Sequence, residues 1–242
     1  PTVLLLSTYP IVEPRHGGQV RLANIAHAFE AANWQVESMA IYEPEGYGAQ
    51  RQGPRDLPFP VDSPFRQFKG RDVPLVNDLL TGLYAAADDG GFAAVVRQLP
   101  PVVDAIHVEQ PWLWPLAKRI KQLPGFEKTI RIYGSANIEA PLKLEILTSY
   151  GVADSAQVIA DIDALERRAA CEADVAVAVT NWLPSHTLTP VHRLPPSASV
   201  SMTNPATCAC VQSSKLGRAK QVGRRNACAV FQRQPFFWFT SK

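Results

Sequence analysis

Two adjacent glycines, Gly17 and Gly18, stand between an apolar run at residues 3–7 and an amphipathic segment that begins at Gln19. At a helix N-terminus, residues without Cβ let the oxygens of a ligand come close to free backbone N–H groups, where the helix dipole also favours negative charge. The same pair fits a tight turn that needs positive φ, and spacing alone leaves both readings open. Arg15 and His16 precede the glycines and Arg21 lies one turn into the helix. These three side chains suit phosphate or sugar hydroxyls and, taken singly, also suit a solvated surface. His107, Glu109 and Gln110 end another apolar run. A carboxylate at the C-terminal edge of a strand is a candidate base or hydroxyl ligand, and His107, which shares a face with Glu109, reads equally as a half-buried core histidine. Asn137 and Glu139, in YGSANIEA, are candidates for hydrogen bonding to a polyol. The alternative for that stretch is helix capping, with Ser135 or Asn137 as N-cap and Glu139 in the first turn.

Several familiar chemistries are missing. The dinucleotide fingerprint G-x-G-x-x-G does not occur, nor do a P-loop or a G-x-S-x-G nucleophile motif. Asp161 and Asp163 have the D-x-D form of some metal-dependent sugar transferases, but they fall in an apparent helix, where positions i and i+2 do not share a face. Cys208 and Cys210 lack a second ligand pair for zinc. No cofactor, no metal and no catalytic residue is assigned.

The elements that must hold these residues alternate. Strand-like runs occupy residues 3–7, 34–42, 102–110, 128–135 and 174–180, and helical patterns occupy residues 75–89, 92–100, 111–123, 137–151 and 154–173, besides the one that starts at residue 19. Residues 43–74, rich in Pro and Gly, read as an irregular excursion. This alternation predicts an α/β fold with a Rossmann-like, doubly wound parallel sheet and flanking helices over residues 1–190. In such sheets ligands bind beyond the C-terminal strand edges. The loops at 8–18, 109–114 and 134–139 therefore carry the candidate residues. The chain has 242 residues, 46% hydrophobic and 19% charged, enough for a sizeable core. No apolar run has the roughly 18–20 residues that span a bilayer, and no secretory signal is seen, so a cytoplasmic location is expected.

Charge divides the chain. All 22 acidic residues lie at or before Asp174, and residues 191–242 hold 8 Lys and Arg with no acid. This basic, acid-free tail is expected to be disordered or to result from a shifted reading frame. A nucleic-acid-binding tail is the alternative.

Four segments, in order, resemble the N-terminal, acceptor-binding domain of a GT-B-fold retaining glycosyltransferase of the large sucrose- and mannosyl-transferase-like family. Residues 3–41 are similar to the family's first strand, glycine loop and helix, with the core P-x-x-G-G-x-x-R intact from Pro14 to Arg21. AIHVEQPWLW resembles the strand leading toward the interdomain cleft, and IRIYGSANIEAPLKLEI the strand that ends in a His-Asn-x-Glu-type loop. DIDALERRAACEADVAVAVTNWLPS is similar to the long helix and strand that follow. The resemblance implies sugar transfer from a nucleotide-sugar donor to a hydroxyl of a glycan, lipid or small molecule. A lipid acceptor would bring peripheral association with a membrane. It also implies that Gly17, Gly18, Arg21, Glu109, Asn137 and Glu139 contact acceptor or phosphate. Ala136 stands where the family often has histidine, and nothing after residue 190 resembles the donor domain, so a truncated, inactive form is expected. A Rossmann-like nucleotide-binding protein of other chemistry is the alternative.

Overall fold

The computed structural model describes residues 1–47, 52–153 and 155–178. It contains a sheet of six parallel strands in the order β3-β2-β1-β4-β5-β6. The strands are β1 Thr2–Ser7, β2 Gln35–Tyr42, β3 Leu57–Pro58, β4 Ala105–Glu109, β5 Ile130–Ser135 and β6 Val175–Ala178. The helices are α1 Gly17–Ala31, α2 Asn77–Ala86, α3 Phe92–Gln98, α4 Trp114–Lys121, α5 Glu139–Ser149 and α6 Ala156–Glu172. The expected doubly wound α/β architecture is what forms. No helix among the described residues is long and apolar enough to cross a membrane.

Strand β1 reads as an unbroken apolar run because both of its faces are covered. Val3 and Leu5 of β1 pack with Leu22 and Ala26 of α1, while Leu4 and Leu6 face Leu79 and Leu80 of α2, Leu116 and Ile120 of α4, and Ile162 of α6. Side chains alternate across a strand, so among the described residues α1 packs on one face and several helices pack on the other. Strand order reverses direction between β1 and β4, the switch point at which open α/β sheets leave a crevice.

Two local expectations are corrected. The 43–74 excursion includes a two-residue edge strand, β3, which pairs with Ile41 and Tyr42. It is tied down where the Asp56 carboxylate accepts from Ala40 N–H and Gly53 N–H, each at 2.7 Å. Helix α1 begins at Gly17 rather than Gln19, because His16 and Gln19 cap it. Of the expected strand at 174–180, Val175–Ala178 is seen. Residues 179–190 and the tail at 191–242, with the readings placed on them, lie outside the described residues.

Candidate functional site

The C-terminal edges of β1, β4 and β5 converge with the N-termini of α1, α2 and α5. The approach to α1 is set by a capping box. His16 Nδ1 accepts from the Gln19 N–H at 3.4 Å, and Gln19 Oε1 accepts from the Arg15 and His16 N–H groups at 2.8 and 3.4 Å. The Gln19 amide also donates to the Pro10 carbonyl at 2.6 Å and is buried, which fixes the loop against the helix. Sequence reasoning missed Gln19, although H-x-x-Q has the i, i+3 spacing of a capping box.

The glycines have separate reasons to be glycine, and neither is a turn with positive φ: both are helical. Beside Gly17, the space a Cβ would enter is empty to 4 Å, so the helix N-terminus is open there. At Gly18 a Cβ would lie 2.8 Å from the Tyr9 hydroxyl. The close approach at Gly18 is made by Tyr9, which is itself almost wholly buried. Burial raises the Tyr9 phenol well above its ordinary pKa, and the Glu109 and Asp78 carboxylates push it the same way.

Arg21 and Glu109 form the centre of the edge. Arg21 Nε donates to Glu109 Oε1 in a close ion pair, with the Glu109 side chain wholly buried and that of Arg21 23% exposed. The other carboxylate oxygen, Oε2, lies 3.0 Å from His107 Nε2. An ionised carboxylate only accepts, so His107 donates through Nε2. Its Nδ1 is buried without a partner, and its ring stands edge-on to Phe29 with centroids 6.3 Å apart. Both oxygens of Glu109 are thus engaged, and the terminal nitrogens of Arg21 keep no partner among the described residues. Glu109 aims a guanidinium; it is not a free base. Gly134 of β5, in register with Glu109, makes room for this group. A Cβ there would collide with Glu109 Oε2 and lie 2.9 Å from His107 Nε2.

The third part of the edge is the start of α5. Glu139 is buried, and its Oε1 accepts from Gln110 Nε2 at 3.2 Å. Gln110 holds φ +68° at the end of β4, a left-handed conformation that is uncommon without glycine or asparagine. Burial raises the Glu139 carboxyl above its usual range. Lys143 opposes the shift, and Glu166 and Asp78 add to it. Of the capping alternative for this helix, Glu139 does stand in the first turn, but Ile138 rather than Ser135 or Asn137 occupies the N-cap, with no side-chain cap. The Ser135 hydroxyl donates instead to the Asn137 carbonyl at 3.0 Å. The free N–H groups of Glu139 and Ala140 donate to the Glu166 carboxylate of α6, Glu139 at 3.0 Å to each oxygen and Ala140 at 3.4 Å to Oε2. Asn137 is exposed at the rim. Asp78 of α2 accepts from the Thr8 hydroxyl at 2.7 Å, joining α2 to the same edge.

The structure therefore gathers Gly17, Arg21, Glu109, Gln110 and Glu139, with Asn137 at the rim and Gly18 beneath. His16 sits over the edge, its Nε2 3.2 Å from the Tyr47 hydroxyl. Asp161 and Asp163 diverge, one to Lys69 and the other to Arg167, each at 2.7 Å. Among the described residues no group of three His, Cys, Asp or Glu side chains could hold a metal ion. Two apolar grooves elsewhere on the surface include none of Gly17, Gly18, Arg21, Glu109, Asn137 or Glu139. Chemically, the edge offers a charged fork, an open helix terminus, a buried carboxyl and neighbouring hydroxyls and imidazole. Such a set binds oxygen-rich ligands. Comparison with protein-family models, curated proteins and solved structures gave no match to the chain.

Proposed function

We propose that residues 1–190 are the acceptor-binding half of a GT-B-type glycosyltransferase, binding sugar hydroxyls and phosphate at the edge of β1, β4 and β5. The observation that carries the reading is the held guanidinium. Arg21 is fixed through Nε by a carboxylate with no exposure of its own, and its other nitrogens are left for a ligand beside the open N-terminus at Gly17. Sugar transfer depends chiefly on stabilising the departing nucleotide diphosphate and positioning the acceptor hydroxyl. Arg21 and the α1 N-terminus suit the first task. Glu139, Asn137 and Gln110 suit the second, since a buried carboxyl held high in pKa accepts or donates hydrogen bonds to a polyol as its protonation dictates.

The strand order also suits a nucleotide-binding protein of other chemistry. Against a dinucleotide, Glu43, just beyond β2, is engaged by Arg66 at 3.2 Å and Asn77 at 2.8 Å and is not left for a ribose.

Calorimetric titration of the full chain with nucleotide sugars, methyl glycosides, NAD and a DNA duplex separates these readings. The proposal expects binding of glycosides or nucleotide sugars that weakens in Arg21→Ala. Binding of NAD alone would favour the other Rossmann chemistry. Duplex binding that falls steeply with salt, alone among the ligands, would move the function to the basic tail.

A further inference from the structure

A concavity of about 390 Å³ opens between α2, α6 and the segment that enters α4. That volume lies within the roughly 300–1,000 Å³ of small-molecule sites. Leu79 and Leu83 line it from α2, Ala164 and Leu165 from α6, and Trp112 and Pro115 from the α4 side. The wall is firmly seated, because Gly82 lies so near the Trp112 carbonyl that a Cβ would collide with it. Leu83 is 41% exposed, an apolar side chain at the mouth.

Trp112 is 1% exposed, and its indole N–H has no hydrogen-bond partner. Arg168 lines the groove, and its only hydrogen bond among the described residues runs from Nε to the Ala164 carbonyl at 3.3 Å. The acid that also lines it, Asp161, is already neutralised. Its oxygens accept from Lys69 Nζ at 2.7 Å and Gln157 Nε2 at 2.8 Å. Lys69 is held in turn over the Phe68 ring, 5.0 Å from its centroid. The groove thus joins an apolar floor to one cation that has no acidic partner among the described residues.

We propose that this groove is a binding site for a small amphipathic carboxylate. The hydrocarbon body lies against Leu79, Leu83 and Leu165, and the carboxylate lies on Arg168. The site shares none of Gly17, Gly18, Arg21, Glu109, Asn137 and Glu139, and does not depend on the sugar reading.

Calorimetric titration of the full chain with decanoate, below its micelle-forming concentration, tests it, with decylammonium as the opposite-charge control. The expected result is saturable binding of one decanoate per chain, with decylammonium at least about tenfold weaker. Leu83→Glu, at an exposed position, weakens decanoate by at least about tenfold, since it sets a like charge at the mouth. Arg168→Ala, on the outer face of α6, removes the preference for the anion. Circular dichroism shows that each variant is folded. Failure of decanoate to bind, equal affinity for the two amphiphiles, or a preference that survives Arg168→Ala overturns the proposal, whether or not Leu83→Glu folds.

Discussion

Arg21 Nε donates to one oxygen of the buried Glu109 carboxylate while His107 Nε2 stands 3.0 Å from the other, so one acid couples a helix to the strand beneath it. The pair is not equally buried, with Glu109 fully enclosed and Arg21 reaching solvent. Removing Arg21 therefore strands an enclosed negative charge. Arg21→Met is expected to lower unfolding stability by about 2–4 kcal/mol, and adding Glu109→Met to recover most of that loss. Urea unfolding of the two single variants and the double gives the coupling. Additive losses would mean that the contact holds nothing.

Gly134 has φ in no special region; its constraint is space. Gly134→Ala places a methyl against Glu109 and His107. It should destabilise by about 1–3 kcal/mol and weaken ligand binding by misdirecting Arg21. Gly17→Ala meets nothing within 4 Å. Alanine is the better helix residue by up to about 1 kcal/mol, so stability should hold or rise while binding at the open N-terminus falls. Thermal melts with parallel titrations compare the two, and a Gly134→Ala protein as stable as the parent would remove the steric argument.

A double-mutant cycle tests the second glycine. Gly18→Ala drives a Cβ to 2.8 Å from the Tyr9 hydroxyl. Tyr9→Phe deletes that oxygen. Gly18→Ala should cost about 1–2 kcal/mol in the parent and clearly less in the Tyr9→Phe background. Equal costs in both backgrounds would show that Tyr9 does not set the requirement.

Tyr133 gives a prediction in pH. Its hydroxyl is buried without a well-aligned hydrogen bond, and burial, with Glu166 adding to it and the nearby Ser135 hydroxyl opposing it, raises the phenol far above its ordinary value. The unfolded phenol releases its proton near pH 10, at about its ordinary pKa, while the folded phenol keeps it. Above that pH the unfolded state binds fewer protons, so stability falls as pH rises. Tyr133→Phe should be as stable as the parent at pH 7 to within about 1 kcal/mol. It should flatten the alkaline decline by about 0.7 kcal/mol per pH unit averaged from pH 9 to pH 11, rising toward about 1.4 above that. Denaturant titrations between pH 9 and pH 11 measure the slope, and an unchanged slope would refute the assignment.

The sheet was legible because β1 is a continuous apolar run and strand-like and helix-like stretches alternate after it, and β1, β2, β4, β5 and β6 fall within the strand-like stretches. Strand β3 was not, since Leu57–Pro58 is two residues long and is held by Asp56, not by an apolar run. The site was legible by residue type and position: Gly17, Arg21, Glu109 and Glu139 all stand at strand ends or helix starts. Their pairings were not. Arg21 and Glu109 are 88 residues apart in sequence, and only the fold shows that Glu109 is consumed in aiming Arg21. Gly134 carried no mark because its reason lies on the neighbouring strand. The α5 cap itself was not legible because its carboxylate comes from Glu166, 27 residues beyond Glu139.

The central claim is that Arg21, held by Glu109 beside the open start of α1, binds an oxygen-rich anionic group. Calorimetric titration with inorganic pyrophosphate, the minimal stand-in for a nucleotide diphosphate, tests it most directly. Saturable binding to the full chain is expected, with at least about a tenfold loss in Arg21→Ala and a smaller loss in Gly17→Ala. Binding of equal strength in Arg21→Ala, or none to the parent chain, would contradict the account.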